Sequence, residues 1–502
     1  MNPETLQMMQ EALMKSFSAP IADPRLPEGL AKSTFSQSGS ATSGLTFYDL
    51  ELGAKFLYPV LTPLRNMLPR VSGKGGIQAN WRAVTGINTA GLRIGVSAGN
   101  RGAVMAVSTA DYTASYKGIG IESNVDFEAQ YAGQGFDDVR AIAARSGLEA
   151  LMLGEEILLL GGNGSHALGT TPTPSLSALT SGGGLSDSTI RVACVALTLD
   201  GFVNASVTGG IQQAITRNNA DGSSDVFGGG SAQPSAETTI TLSGGTAVQA
   251  VACTVTDVKG ALGYAWFWSS AGAGTSRLGA LTTVNKLTIT TTIGAGSQLY
   301  SSLTASDNSA NNLVFDGLIT QACKTGSNSY YKTLNGSALT SDGNAGIVEI
   351  DDTLKSFWDN YRLSPEDIWV NSQEALSISK LLATGSGSTS NYRINMDVRD
   401  GMIAGGIMVK EYLNRFSMAG GQVLNIRIHP NLPAGTILFT TNKLPYPLAN
   451  VANVAQVRTR QDYYQIEWPL RSRKYEYGVY ADEVLQHYFP PSLGVIRNIA
   501  PS

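Results

Sequence analysis

Charge is scarce in this chain. Lysine, arginine, aspartate and glutamate together make up 15% of its 502 residues, against about a quarter in ordinary soluble domains. The 35 basic and 39 acidic residues leave a formal net charge of −4. That argues against a protein whose main task is to grip nucleic acid, which needs a basic excess. Histidine is rarer still: His166, His429 and His487 are the whole set, and none has a second histidine or a carboxylate at metal-ligand spacing. Zinc-protease and zinc-finger chemistry are therefore not expected. Three cysteines, Cys194, Cys253 and Cys323, lie far apart with no CxxC pair, so no disulfide framework follows. A Cys194–Cys253 bridge is left open, with free buried thiols expected. Long apolar runs are also missing. The most apolar stretch, Leu148 to Leu160, is broken by Gly154, Glu155 and Glu156, so no membrane-spanning helix is expected. The first residues, Met1-Asn2-Pro3-Glu4, carry an acid where a signal peptide would be basic, and the expectation is a cytoplasmic chain.

What is present is apolar residue content and glycine. Hydrophobic residues make up 42% of the chain, enough to bury real cores. A chain of this length divides into two to four domains at roughly 100–200 residues each. With so little charge, much of the surface must be neutral Gly, Ser, Thr and Ala. Such a surface suits contact with partner subunits better than full solvation.

Along the chain, residues 4–17 can form an amphipathic helix with Leu6, Met9, Leu13 and Phe17 on one face, and residues 18–46 read as an extended arm. Residues 47–70 turn apolar again, with three prolines that limit helix. Trp81–Ile87 reads as a strand, 88–103 as a Gly-rich tip, and 111–127 as an alternating strand, together a long β-hairpin. Residues 136–160 are the strongest helix, with Val139, Ile142, Ala143, Ala150, Leu153, Ile157 and Leu160 near helical spacing and Asp137 and Asp138 in its first turn. It should stop at Gly161-Gly162-Asn163-Gly164.

Texture then changes. Residues 165–312 are rich in Ser, Thr, Gly, Ala and Val, with short β-type runs at Ile190–Leu199, Thr238–Leu242, Ala247–Val258, Gly263–Trp268 and Lys286–Thr292. Strands at this spacing suggest a β-sandwich of their own. From 347 the α/β texture returns. Ile350, Leu354, Phe357, Trp358 and Tyr361 form a helical stripe ending at Ser364-Pro365, and Ile368-Trp369-Val370 is a short buried strand. Asn371, with Glu374 three residues on, caps a helix over 372–383. A Gly/Ser loop covers 384–391. Strands follow at 407–410 and 422–428, then a turn at Pro433-Ala434-Gly435-Thr436 and a strand at Ile437–Thr440. The last segment, 455–499, alternates, with Tyr475, Tyr477 and Val479 on one face.

The search for chemistry finds little. An enzyme needs convergent titratable groups, and none is visible: the catalytic, cofactor-binding and metal sets are all empty. His166 and His429 read as hydrogen-bonded structural histidines. There is no GxSxG elbow. Gly161-Gly162-Asn163-Gly164-Ser165 ends a helix and lacks a following lysine, unlike a phosphate loop. Glu155-Glu156 reads as a solvated or salt-bridged helix face. Arg458, Arg460, Arg471, Arg473 and Lys474 are interleaved with Asp462, Glu467 and Glu476, which suits ion pairs between subunits better than nucleic-acid contact.

The order of these pieces resembles a tailed-bacteriophage major capsid protein of the Hong Kong 97-type fold. Three stretches carry the likeness. SGLEALMLGEEILLLGGNGS (146–165) is similar to the end of that family's spine helix and its Asn-Gly turn. GIVEIDDTLKSFWDNYRLSPEDIWVNSQEALSISKLL (346–382) is similar to the helix–strand–helix of the capsomer-centre domain. EYGVYADEVLQHYFPPSLGVIRNI (476–499) matches the closing segment. In simpler members the Asn-Gly turn runs almost at once into a Gly-Leu segment. Here Asn163-Gly164 is separated from Phe315-Asp316-Gly317-Leu318 by the β-rich stretch, as a domain inserted at a surface turn would be.

The resemblance implies an α+β chain laid out as an N-terminal arm (1–70), an extended hairpin with flanking peripheral strands (71–135), a spine helix (136–164), an inserted β-rich, immunoglobulin-like domain (165–312), an axial domain (313–450) and C-terminal strands (451–502). It implies a structural shell protein that self-assembles into pentamers and hexamers of an icosahedral head around double-stranded DNA, with no enzyme activity and no cofactor. Scaffolding, portal and decoration proteins are implied partners, packaged DNA a weak non-specific one, and membrane none. The location is the virion capsid, assembled in the bacterial host cytoplasm. Some members of the family weld subunits by an isopeptide bond between a hairpin lysine and a peripheral asparagine, with a glutamate as base. This hairpin offers only Lys117, and 463–480 holds no asparagine, so no such weld is expected. The rival readings are an encapsulin-like compartment enclosing enzyme cargo, a β-rich surface adhesin, and an enzyme.

Overall fold

The computed structural model describes residues 55, 57–87, 96–101, 106–133, 138–218, 222–245, 247–343, 346–384, 398–399, 402–403, 409–417, 421–470 and 472–501. The expected helix over 4–17, the arm over 18–46, most of the hairpin tip, the loop over 385–391, Asp137 and Arg471 lie outside the described residues. The chain divides into two units. One comprises Met1–Tyr58 with Glu128–Val139; of it, the helical turns Glu128–Gly133 are the main described part. The other comprises Pro59–Phe127 with Arg140–Ser502, and all that follows concerns it.

This unit begins with a short helix, α1 (Pro63–Met67), opened by a proline at its first position, where the missing N–H costs nothing. Leu64 and Leu68 are buried. The chain then enters β1 (Arg70–Ser72), the edge of a four-stranded sheet with β21 (Ala455–Glu467), β22 (Lys474–His487) and β4 (Lys117–Asp126), in the order β1-β21-β22-β4. Only β1–β21 is parallel. Between β1 and β4 the chain makes a separate two-stranded hairpin, β2 (Gln78–Ile87) with β3 (Val107–Ser115). The single strand expected over 111–127 is thus two strands broken at Tyr116. Its first half belongs to the hairpin and its second half, with Lys117, belongs to the sheet beside β22. Alternation reports which face a residue takes, not which neighbour its backbone pairs with.

The long helix α3 runs Val139–Gly161 (with α2 being Phe127–Gly133). Asp138 precedes it, and its first turn holds no acid. The helix lies on the four-stranded sheet, where Leu151 packs against Ile119, Val479 and Ala481. Its approach is close: a Cβ on Gly147 would stand 3.3 Å from Ser123 Oγ. The buried stripe is Gly147, Leu151, Glu155 and Leu159, with Glu156 and Leu160 beside it. Ala150, from the expected apolar stripe, is exposed, and Leu153 and Ile157 are half-buried. The stripe is displaced because both glutamates face inward.

Residues 175–289 hold two sheets, β13-β10-β5 and β12-β11-β6-β9. The first comprises β5 (Ser175–Leu179), β10 (Ala250–Thr254) and β13 (Lys286–Ile289); the second comprises β6 (Thr189–Leu197), β9 (Thr238–Thr241), β11 (Gly263–Ser269) and β12 (Arg277–Thr282). Ile190, Val192, Cys194 and Ala196 of β6, and Tyr264, Trp266 and Trp268 of β11, face Val251, Cys253 and Ile289 of the first sheet. Their odd-numbered neighbours Ala193, Val195, Leu197, Ala265 and Phe267 are buried too, against Ile211, Phe202 and Tyr300. A sheet covered on both faces needs apolar residues at every position, which is why β6 and β11 read as continuous apolar runs. A helical turn, α4 (Leu199–Val203), and a small hairpin, β7 (Ala214–Asn218) with β8 (Ser224–Gly228), complete the region. The strand expected over 247–258 is confined to β10, and β5, β7, β8 and β12 were not foreseen. About half of their residues are Ser, Thr, Gly or charged, and β5, β7 and β8 are largely exposed. All three thiols are free and buried.

After α5 (Leu318–Cys323), a six-stranded mixed sheet forms in the order β14-β23-β20-β15-β19-β18. Its strands are β14 (Tyr330–Ser337), β15 (Asp367–Val370), β18 (Glu411–Asn414), β19 (Gln422–Ile428), β20 (Ile437–Thr440) and β23 (Gly494–Ile499). A two-residue ladder, β16 (Val398–Arg399) with β17 (Met402–Ile403), stands apart. Helix α6 (Val348–Tyr361) buries Ile350, Leu354 and Phe357 against Ile368, Val370, Phe439 and Ile496. It ends as Arg362 turns left-handed at φ 52°. Helix α7 (Ser372–Thr384) is capped by Asn371, whose Oδ1 accepts from Gln373 N at 3.0 Å. The expected second half of that cap is absent, because Glu374 accepts instead from Gly435 N at 2.7 Å. The strand expected at 407–410 begins later, at Glu411. No described helix is long and apolar enough to cross a membrane.

Candidate functional site

The titratable groups gather where α1, β1, α3, β21 and β22 meet. Glu155 and Glu156 are both fully buried, which corrects the solvated-face reading. Salt-bridging, the other half of that reading, holds for Glu155. Its carboxylate takes Arg70 Nη1 at 2.5 Å and Arg65 Nε at 3.1 Å, and contacts the Tyr463 hydroxyl. Arg70 also donates to Asp462 at 2.7 Å and to buried Glu483 at 2.7 Å. Burial disfavours the Arg70 cation, but the Asp462 hydrogen bond and the charges of Glu155 and Glu483 outweigh it and raise its pKa. Burial and the nearby Glu155 charge push the Glu483 carboxyl up to about 8, against the pull of Arg70. Glu156 accepts from the backbone N–H groups of Leu64 and Arg65 at 2.8 and 2.7 Å and lies 2.6 Å from His429 Nε2. His429 Nδ1 accepts from Asn431 N, so the ring proton sits on Nε2 and is donated to Glu156. Nothing here is arranged as a nucleophile with a base. These groups clamp residues 63–72 to the long helix.

A second constellation closes the base of the β-sandwich. The segments by which the chain leaves at Asn163 and returns at Asn311 are tied together: Asn311 N donates to Asn163 O at 2.9 Å, and Asn163 Nδ2 donates to Ser309 O at 3.0 Å. Asp316 accepts from Gly164 N and Ser165 N, and Gly317 N donates to Gly162 O. On the far side Asp257 accepts from Asn498 Nδ2 at 2.6 Å and Tyr331 OH at 2.5 Å. Fully buried Arg497 lies 4.0 Å from the same aspartate.

His166 is a hydrogen-bonded residue, with Nε2 3.1 Å from Lys259 O. Among the described residues no group of three His, Cys, Asp or Glu could hold a metal ion. Two members of the basic cluster near the C-terminus, and two of the acids interleaved with it, have ion-pair partners within the chain. Arg460 pairs with Asp482, Lys474 with Asp126, Asp462 with Arg70, and Glu467 with Arg140. Lys117 is not in the hairpin and donates to Asn312 O at 2.5 Å. Arg65, Arg70, Tyr463 and Glu483 escaped sequence reading. Two adjacent acids inside an apolar run of a charge-poor chain were the available signal, since such acids persist only when paired.

The remaining feature is the hairpin. Among the described residues β2 and β3 pair only with each other, and Val84, Val107 and Tyr112 are exposed along it at 61%, 50% and 40%. Its root is held by Trp81, stacked on Tyr112 at 5.8 Å and edge-on to Tyr488 at 5.7 Å.

No family model and no curated protein matches the sequence. Solved structures of capsid shells are similar to the chain, tailed-phage capsids among them. The capsid of the native GTA particle aligns at 10% identity and TM-score 0.39 over 91% of this chain and 96% of that one. A chain of Mycobacterium phage Bobi aligns at 9% identity and TM-score 0.39 over 89% and 95%. The holo-SrpI encapsulin complex from Synechococcus elongatus aligns at 8% identity and TM-score 0.38 over 90% and 93%.

Proposed function

We propose that this chain is a structural shell protein of the Hong Kong 97-type capsid fold, with a β-sandwich inserted between Asn163 and Asn311. Identical copies assemble into pentamers and hexamers of an icosahedral phage head that encloses double-stranded DNA. The observation that carries this reading is the hairpin β2–β3. An isolated two-stranded ribbon is marginal in water, and this one keeps apolar side chains exposed on strands that pair with no other strand among the described residues. It makes physical sense when a neighbouring copy covers it. The long helix laid on a strand layer, and the clamp that holds residues 63–72, supply a rigid base from which the ribbon projects.

Many modest contacts between identical chains multiply into a stable shell. A charge-poor surface loses little on desolvation, and a weakly acidic one does not adhere to DNA. The base-pinned sandwich suits an outward projection, as an insertion at a surface turn would. An encapsulin-like compartment is the second reading. Electron microscopy of the purified protein tests both: closed particles with capsomers are expected, and a small uniform oligomer is the contrary result. Nuclease-protected DNA inside the particles supports the phage head; enzyme cargo without DNA supports the compartment.

A further inference from the structure

The chain holds two Asn-Gly pairs, Asn163-Gly164 and Asn335-Gly336. The backbone nitrogen that follows an asparagine is a latent nucleophile toward that asparagine's own amide, and glycine, with no Cβ, leaves the approach open. The fold treats the two pairs differently. Asn163 is buried. Its Nδ2 donates to His166 O and Ser309 O, and its Oδ1 accepts from His166 N, so both ends of the amide are held. Asn335 is exposed, on the edge strand β14. It and Gly336 are both left-handed, at φ 49° and 73°, and residues 334–336 have no register partner on β23. The Gly336 N–H therefore lies outside the ladder. Asn335 Oδ1 accepts from Asn285 Nδ2 at 3.2 Å and from Thr333 Oγ1 at 3.3 Å, while its Nδ2 has no acceptor among the described residues. Two donors on that oxygen draw electrons from Cγ and stabilise the oxyanion formed when Cγ is attacked. Beside the pair, the stem of Lys286 lies on Gly336, where a Cβ would stand 2.6 Å from Lys286 Cδ. Lys286 is exposed and has no carboxylate partner among the described residues.

We propose that Asn335-Gly336 is a self-modifying site that converts to aspartate and isoaspartate in the folded chain, while Asn163-Gly164 stays intact. Gly336 N attacks Asn335 Cγ. The N–Cγ bond forms, the Cγ–Nδ2 bond breaks, and the amide leaves as ammonia with the proton of the Gly336 N–H. Water then opens the cyclic imide at either carbonyl, so the net change is water taken up and ammonia released. The new carboxylate keeps the Asn285 and Thr333 donors and gains Lys286 as a counter-ion, which ties β14 to strand β13 of the sandwich.

The test follows the folded full-length protein in mildly alkaline buffer by peptide mapping and mass spectrometry, with a urea-unfolded control. The Asn335 peptide should exchange NH for O, as a mixture of aspartate and isoaspartate, more than about tenfold faster than the Asn163 peptide, whose amide must first break its hydrogen bonds. In urea the two should react alike. Equal rates in the folded protein, or an unreacted Asn335 once the unfolded control has converted, overturns the proposal. Thr333→Val should slow the reaction about fivefold and Thr333→Ser should restore it; an unchanged rate in Thr333→Val refutes the polarised amide. Asn335→Asp should raise the unfolding temperature, and Lys286→Gln should abolish the gain. No gain, or a gain that survives Lys286→Gln, refutes the new ion pair.

Discussion

Glu156 and His429 are 273 residues apart in sequence and 2.6 Å apart in the fold, both with fully buried side chains. The contact joins the middle of the subunit, the long helix, to the end of β19. The same carboxylate holds two backbone N–H groups of α1. Replacing Glu156 with Ala strands three donors in a dry site. The expected cost is about 3–5 kcal/mol, read from urea unfolding. Glu156→Gln keeps one accepting oxygen and should cost about half as much. An alanine variant within ~0.5 kcal/mol of the parent would contradict this account.

Glu483 makes stability depend on pH in an unusual sense. Its folded pKa of about 8 lies above the unfolded carboxylate value. Between about pH 4.5 and 8 the folded chain therefore holds a proton that the unfolded chain has released. The contribution is full below that window and is lost as pH rises through it, by up to about 1.4 kcal/mol per pH unit. Glu483→Gln should flatten the unfolding midpoint across this range. An unaltered slope in the variant would show that another group carries it.

Gly317 lies against the backbone at the end of the long helix. A Cβ there would stand 2.5 Å from Leu158 O and 2.7 Å from Gly161 N, closer than any real contact allows. Gly317→Ala should spread the base of the sandwich and destabilise the fold by about 1–3 kcal/mol. Faster hydrogen exchange at Gly162 and Asn311 is the signature to look for, and unchanged protection there would refute it.

No covalent weld between subunits is expected. Lys117 is in β4 and its ammonium is engaged by Asn312. Boiled particles should run as one band at 52.8 kDa on a denaturing gel. A ladder of multiples would require a different lysine.

The thiols should be silent in the folded chain. Burial raises all three, Cys253 to about 12 and Cys323 to about 11, and the thiolate is the reactive form. A maleimide should label none before denaturant and three after it. Rapid labelling of the native protein at neutral pH would show that the cores open.

Elements whose signal is local were legible. The long helix, the buried strand at Ile368–Val370, the strand Ile437–Thr440 and the continuous apolar runs of β6 and β11 follow from spacing and from the residues that end them. The clamp was not legible, because its partners are separated by 85 to 413 positions. Glu155 and Glu156 read as an outer face for the same reason, since a carboxylate's burial is decided by an arginine that periodicity cannot see. The break at Tyr116 was hidden because alternation continues across it while the pairing partner changes.

By itself, then, the sequence determined the segments whose signal is local: the long helix, the helix–strand–helix over 348–384 and the continuous apolar strands β6 and β11. Only the tertiary structure decided which face of the long helix turns inward and which carboxylates share Arg70. It also left Val84, Val107 and Tyr112 exposed along the hairpin. Local propensity acts over a few residues, whereas desolvation and charge pairing are settled by whatever the fold brings within a few ångströms.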